Sequence, residues 1–447
     1  MPLPDDQFLE IATDAYVFGY PLVLMDITKA IDTNMDPNNE DEHAPINQFI
    51  HARDLPDPAD RTVVRTNQDT LYSFSWLDLT AEPIVLSLPD MQTKEPDNET
   101  ERSRYWLMQI MDAWSNTLHN PGQTTTATPA AFLLYGPDWN GDVPADTTPL
   151  SMPTNTVWIV GRTELMALDD ADELEHVHAL QDDMRLIPLS AWSSSGGYVP
   201  PPGTFDPDID LKTPPPAQVE AMKAVTFYNQ LCALMVPNPT SPEDSGMMER
   251  LASIGIVPGG TVDDLNSDLL EQAKKDGETR VRTYTNPEVE DLNGWLSSPN
   301  LGTYDTNYDL RASTALYGLG ANLPEDSLYP STASADSSTT ATRFRLHFEP
   351  GELPPVDAFW SITAYDTDGY FIPNDAKKYA VGHQDLITTN TDGSADIAIQ
   401  PDDPGADIPA SNWLPVGNAP FTLTMRLYAP DKNTIAGWKP PRLTAES

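Results

Sequence analysis

Residues 65 to 79 read Arg65-Thr66-Asn67-Gln68-Asp69-Thr70-Leu71-Tyr72-Ser73-Phe74-Ser75-Trp76-Leu77-Asp78-Leu79. A dense polar group gives way to a strand-like run from Thr70 to Leu79. Similar short runs recur at Ile84 to Leu88, Tyr105 to Met111, Ala131 to Tyr135 and Val157 to Val160, separated by Pro, Gly, Asn and Asp. Short strands with turn residues between them predict an antiparallel sandwich or barrel.

Upstream, apolar residues from Asp6 to Ile31 fall at helical spacing (Phe8, Ile11, Ala12, Ala15 and Tyr16, then Phe18, Leu22 and Met25). This predicts an amphipathic helix, kinked or interrupted at Gly19-Tyr20-Pro21, where proline removes a donor and crowds the preceding turn. Downstream, helices are expected at Ala171 to Met184, Val219 to Met235, Met247 to Ile254, Val262 to Asp276 and Leu310 to Leu319. Ser241-Pro242-Glu243-Asp244 supplies a cap, a first-turn proline and acids where a helix begins. Beyond the polar stretch Ser331 to Thr342, strands resume at Arg343 to Phe348, Ala358 to Tyr365, Ala395 to Gln400 and Phe421 to Tyr428. Hairpin signals stand at Asp368-Gly369 and Asp392-Gly393.

The expected class is therefore α+β and multidomain. It comprises an N-terminal helix and loop at 1–60, a first β-sandwich at 61–165, a mainly helical part at 166–330 and a second β-sandwich at 331–447. A chain of 447 residues has room for roughly three ordinary domains.

The charge is as informative as the pattern. Sixty-eight acidic residues face 25 basic ones, for a net charge of −43. The acid is dispersed along the chain, and repulsion of this size is relieved near molar salt, where the Debye length falls to about 3 Å. The composition predicts a salt-adapted protein, cytoplasmic in a high-salt organism, with no affinity for nucleic acid or anionic membranes. The opening Met1-Pro2-Leu3-Pro4-Asp5-Asp6 has no basic n-region, and the apolar stretch Ala15 to Ile27 is short and broken by Gly19 and Pro21. Neither a secretory signal nor a membrane span is expected. The one cysteine, Cys232, sits among Phe227, Leu231 and Leu234 and reads as a buried, inert thiol.

Arg65 to Ser73, followed by Trp76 to Leu79, Glu82-Pro83, Arg104-Tyr105-Trp106, Met111-Asp112 with Asn116, Gly136-Pro137 and Val160-Gly161-Arg162, resembles the bacterial and archaeal family called domain of unknown function 1254. Arg311-Ala312, Gly318 to Asn322, Leu346-His347-Phe348, Pro354 to Ser361, Asp392-Gly393-Ser394, Asn412 to Pro415 and Trp438 are similar to its partner family, domain of unknown function 1214. The resemblance implies two jelly-roll-like β-sandwiches with helical parts before and between them, and it carries no settled reaction. Similar chains often have Gly-x-Arg-Thr-Thr-Gly where this one has Gly122-Gln123-Thr124-Thr125-Thr126-Ala127. If the arginine absent from this run holds an anion in relatives, weak binding of that anion is expected here.

Nucleotide-binding and nucleophile-elbow signatures are missing, and Ser193 to Gly197 reads as a linker. His176 and His178 are two apart in a predicted helix, so no metal site and no cofactor are expected. His347 reads as a satisfied sheet histidine. Asp366 to Gly369 reads as a type I′ hairpin turn in preference to a calcium loop.

The candidate ligand residues are Arg65, Asn67, Asp69 and Tyr72, with Arg104, Asp112 and Asn116 on following strands and His119 as a general-base candidate. Their alternative is a buried network that fixes the sheet. Trp360 and Trp413, with Tyr365 and Trp438, are candidates for a stacking platform; sandwich core is the competing reading. Two functions follow: a small-molecule site in the first β region, in a binding protein or a metal-independent hydrolase-like enzyme, or a structural protein contacting carbohydrate or other copies of itself.

Overall fold

The computed structural model describes residues 3–36, 43–61, 64–91, 103–167, 170–192, 197–333, 342–383 and 387–446. The linker reading of Ser193 to Gly196 and most of the polar stretch Ser331 to Thr342 fall outside them. Ser331–Thr332 itself is a short strand.

Helix α1 (Asp5–Asp32) runs as one continuous element with Pro21 inside it, where the sequence had suggested an interruption. It is long and apolar enough to cross a membrane, yet Ile11, Ala12 and every residue from Ala15 to Met25 are buried within the protein. The later helices are α2 (Ala171–Asp183), α3 (Leu189–Trp192), α4 (Pro215–Ala221), α5 (Ala224–Leu234), α6 (Ser245–Ala252), α7 (Ser267–Thr283) and α8 (Tyr308–Gly318). The single helix expected from Val219 to Met235 is two, because Met222 and Lys223 are extended. Helix α7 starts later than expected, at the Asn266 cap that accepts from Asp268 and Leu269 amides. Ser241 does form its capping box, on a 3-10 turn leading into α6.

Helix α1 is the axis of this bundle. Tyr16, Phe18 and Leu22 pack with Phe227 and Leu231 of α5, Leu270 and Ala273 of α7, and Ala312 of α8. Two glycines let the backbones approach: a Cβ at Gly277 would lie 2.5 Å from the Tyr16 ring, and one at Gly19 would lie 2.6 Å from Leu231. Cys232 is buried in the same core, and burial raises its thiol pKa.

The first β region contains β1 (Ile50–His51), β2 (Thr70–Asp78), β3 (Ile84–Leu88), β4 (Trp106–Asp112), β5 (Thr117–His119), β6 (Ala130–Tyr135), β7 (Thr148–Ser151), β8 (Thr156–Glu164) and β9 (Arg185–Pro188). They form two sheets, ordered β1-β2-β8-β4-β5 and β7-β6-β3-β9. Leu77, Trp106, Met108 and Ile159 of one face Leu86, Phe132 and Leu134 of the other across an apolar core. The second region contains β10 (Glu290–Leu292), β11 (Trp295–Ser297), β12 (Ser327–Leu328), β13 (Ser331–Thr332), β14 (Phe344–Phe348), β15 (Trp360–Tyr365), β16 (Ala380–Val381), β17 (Ala395–Gln400), β18 (Trp413–Pro415), β19 (Thr422–Tyr428) and β20 (Thr444–Ala445). Here β10-β11-β13-β19-β15-β16, with β12 also on β19, packs against β18-β17-β14-β20. Ile362, Leu423 and Met425 meet Leu346, Ile397 and Ile399.

The sheets are mixed and not wholly antiparallel, because β6–β7 and β17–β18 pair in parallel. The turn at Asp366 to Gly369 is also not type I′. Gly369 N–H donates to Asp366 O, and only Gly369 has positive φ, whereas a type I′ turn needs it at both central residues. The same holds at Asn390 to Gly393.

Side chains alternate across a strand, so each large sheet has a second face. On β2 and β8 it carries Tyr72 opposite Arg162. On β15 and β19 it carries Ser361 opposite Arg426 and Thr363 opposite Thr424. The first of these faces is otherwise aromatic and apolar, with Phe74, Trp76 and Trp158, and its Tyr72–Arg162 end is turned toward the polar face of the second sheet. Tyr105, just before β4, contacts Phe359 and Tyr428 at ring separations of 5.6 and 5.3 Å.

Candidate functional site

A cleft of about 450 Å³ opens where the Tyr72–Arg162 end of the first sheet and the polar face of β19 meet the end of α8. Three arginines reach it: Arg65, Arg162 and Arg426. None of the described residues lining it is Asp or Glu, and none of the three arginines makes an ion pair with a described residue. In a chain with 68 acids and 25 bases, a lining with three cations and no anion needs a reason.

Each arginine is held by local structure. Arg65 precedes β2 in a left-handed conformation (φ 54°), pinned by its N–H to Gly369 O at 2.8 Å. Its Nη1 donates to Thr424 Oγ1 at 3.1 Å. Arg426 is buried and donates from Nη1 to Thr363 Oγ1 (2.9 Å) and from Nη2 to Arg65 O (2.7 Å) and Tyr365 OH (2.6 Å). Arg162 lies over the Tyr72 ring at 5.4 Å and donates from Nη1 to Gln109 Oε1 at 2.8 Å. Its Nη2 and Nε have no acceptor among the described residues, so one edge of this planar fork remains for a ligand.

Behind the floor of the cleft lies a second polar group, closed to solvent. His383 stacks on Phe359 (3.7 Å between ring centres) with its Nε2 against Glu164 Oε1 and its Nδ1 3.6 Å from Asp69 Oδ1. Asp69 Oδ2 accepts from Ser361 Oγ at 2.7 Å and from Tyr428 OH at 3.3 Å. Glu164 Oε2 accepts from the Tyr105 amide at 2.6 Å. The His383, Asp69 and Glu164 side chains are at most 2% exposed. Burial opposes charge on His383, but the two carboxylates outweigh it and raise its pKa. They stand at opposite ring nitrogens and so do not converge on one point, as ligands of a shared metal would. The group joins Asp69 and Glu164 of the first β region to His383, Ser361 and Tyr428 of the second. Tyr428 also lines the cleft, so its ring separates the two sites.

The sequence candidates are therefore distributed over several places. Arg65 and Tyr72 line the cleft. Asn67 sits beside it: its Oδ1 accepts from the Asp69 and Thr70 amides, and its Nδ2 donates to Tyr72 OH at 2.8 Å. Asp69 belongs to the closed group. Arg104 forms a bidentate pair with Glu173 at 2.5 and 2.8 Å and also holds Glu164 O. Asp112 closes the β4–β5 turn, accepting from the amides of Trp114 and Asn116 and from Asn116 Nδ2. Burial, first of all, raises the pKa of that carboxyl. His119 bonds Ser151 O. Asp112, Asn116, His119 and Gln123 are not among the residues lining the cleft.

Trp360 and Trp413 lie on different sheets. Trp360 packs on Phe348, and Trp413 donates to Gln400 O, while Tyr365 and Trp438 are buried. His347 bonds Asp396, its cross-strand neighbour. Sequence reasoning did not single out Arg426, Glu164, Tyr428 or His383, and noted Arg162 and Ser361 only for the family resemblance.

The fold is shared with the crystal structure of the VPA0106 protein from Vibrio parahaemolyticus, at a TM-score of 0.70 and 23% identity, over 98% of this chain and 100% of that one. An uncharacterized Burkholderia cenocepacia protein aligns over 99% of this chain and 95% of its own, at 13% identity and a TM-score of 0.46. No curated protein matches the chain. Residues 46–188 match the protein family of unknown function DUF1254 and residues 326–432 match DUF1214, so the chain carries the two family segments in the order that its sequence resemblance implied.

Proposed function

We propose that this protein binds a small organic anion in the Arg65–Arg162–Arg426 cleft. One observation carries the reading: among the described residues the lining gathers three arginines, none of them in an ion pair, and no carboxylate, on a chain whose net charge is −43. Long-range repulsion from such a surface disfavours anions, so a site for one must supply its own local field. Arginine forks do so, and they match carboxylate and phosphate oxygens in pairs.

Binding is preferred to hydrolysis. The nearby imidazole and carboxylates are covered by Tyr428 and Phe359, and both ring nitrogens of His383 face carboxylates. The dispersed acid is read as adaptation to high salt. For each sheet pair we infer the jelly-roll-like form that the family resemblance implies, supported by two sheets facing across an apolar core.

Purification from a native-salt extract tests the function. Small molecules released from the wild-type protein are compared with those released from Arg65→Gln and Arg162→Gln. Organic acids enriched only on the wild type support the reading. Equal recovery from all three proteins, or enrichment of neutral or cationic compounds, overturns it.

A further inference from the structure

The cleft is graded in polarity as well as charged. Its two buried cations, Arg426 at 4% exposure and Arg162 at 7%, form the floor. At its mouth stand Tyr317 at 62% and Val64 at 47%, two of the large apolar side chains that the described surface leaves exposed. The rest of the lining is mostly apolar or aromatic in area, with Leu301, Leu310, Leu319, Tyr72 and Tyr284, and is interspersed with neutral polar side chains such as Asn286, Ser313 and Asn322. Val64 and Tyr317 come from segments far apart in sequence, brought to one rim by the fold.

An inorganic anion needs only the floor. It would leave most of about 450 Å³ empty, whereas clefts of this size, with apolar walls and a few placed polar groups, suit ligands of many heavy atoms. Exposed apolar side chains at a mouth are stabilised when a ligand's apolar body covers them. Polyanions are disfavoured by the acidic surface around the site.

We infer that the ligand is an amphiphilic organic acid, a carboxylate bearing an aromatic or aliphatic body, which enters with its carboxylate first. This inference rests on the anion-binding reading above and adds the body and the orientation. The carboxylate meets the open edge of Arg162 beside Arg426, and the body lies along Tyr72 and Leu319 toward Tyr317. Arg65, the exposed cation of the three, stands on the entry side.

Calorimetric titration in molar KCl tests it with four probes: 1-naphthoate, acetate, inorganic phosphate and the neutral 1-naphthalenemethanol. The expected result is 1-naphthoate binding at least about tenfold more tightly than the other three. Arg65→Gln and Tyr317→Ala, both at exposed positions that leave the core untouched, should each weaken 1-naphthoate several-fold. Acetate or phosphate matching 1-naphthoate overturns the amphiphile while leaving the anion reading standing. The neutral alcohol matching 1-naphthoate overturns the anion reading itself. No heat from any probe overturns both, and 1-naphthoate affinity unchanged in both variants removes the ligand from this cleft.

Discussion

Replacing Asp69 by Asn asks whether the closed group behind the cleft holds the two β regions together. In the wild type, one carboxylate oxygen accepts from Ser361 and Tyr428 while the other faces His383. The amide has the same shape but one acceptor oxygen, so an NH₂ group replaces an accepting oxygen either toward Ser361 and Tyr428 or toward His383. Removing one partner from a buried charged group costs about 3–5 kcal/mol. His383 keeps Glu164, which places the expected loss near the lower end, about 3 kcal/mol. His383→Gln leaves Asp69 and Glu164 buried without their shared cation and should cost at least as much. Because both substitutions dismantle one network, the double variant should be more stable than the sum predicts, with an interaction of about 1–3 kcal/mol. Denaturant titrations of the four proteins in molar KCl, followed by tryptophan fluorescence, give the cycle. Additivity within about 0.5 kcal/mol, or an Asp69→Asn protein as stable as wild type, would refute the reasoning.

Two further outcomes follow from the charges. His383 has a folded-state pKa above its ordinary value of 6.5, so its contribution to stability is complete below that pH and is lost as pH rises through the folded value. The melting temperature should therefore fall on the alkaline side of about pH 6.5, and His383→Gln should lack this component; identical pH profiles would contradict it. The net charge of −43 predicts a melting temperature that rises steeply from low to molar KCl, and a flat or falling curve would sink the reading of salt adaptation.

Much of the architecture was legible because it is written locally. Thr70 to Leu79, Ile84 to Leu88 and Ala395 to Gln400 alternate or run apolar between turn residues, and each is a strand at or within a residue of its expected ends. Helix α1 was legible as one helix kinked or interrupted at Pro21, and of these the interruption does not occur: the helix runs through the proline, which is buried with its neighbours. The break at Met222-Lys223 has no glycine and no proline to announce it.

The cleft was half visible. Arg65 and Tyr72 stand in the dense polar group at the start of β2, and Arg162 in the Val160-Gly161-Arg162 stretch that carries the family resemblance. Arg426 could have been found by period: Thr422, Thr424, Arg426 and Tyr428 alternate with Leu423, Met425 and Leu427, which marks a strand with a core on one face and polar work on the other. His383 offered no such signal. Its partners, Asp69 and Glu164, become neighbours only through the β2–β8 register, which pairs Thr70 with Glu164, and register across 94 residues is not a local property.

Whether an organic acid sits carboxylate-inward in the arginine cleft is decided by a crystal structure with 4-bromobenzoate, read from the anomalous signal of bromine. The carboxylate is expected between Arg162 and Arg426 and the bromine near Tyr317 and Val64. Bromine at the arginine floor, or no bromine in the cleft at saturating ligand, would contradict it.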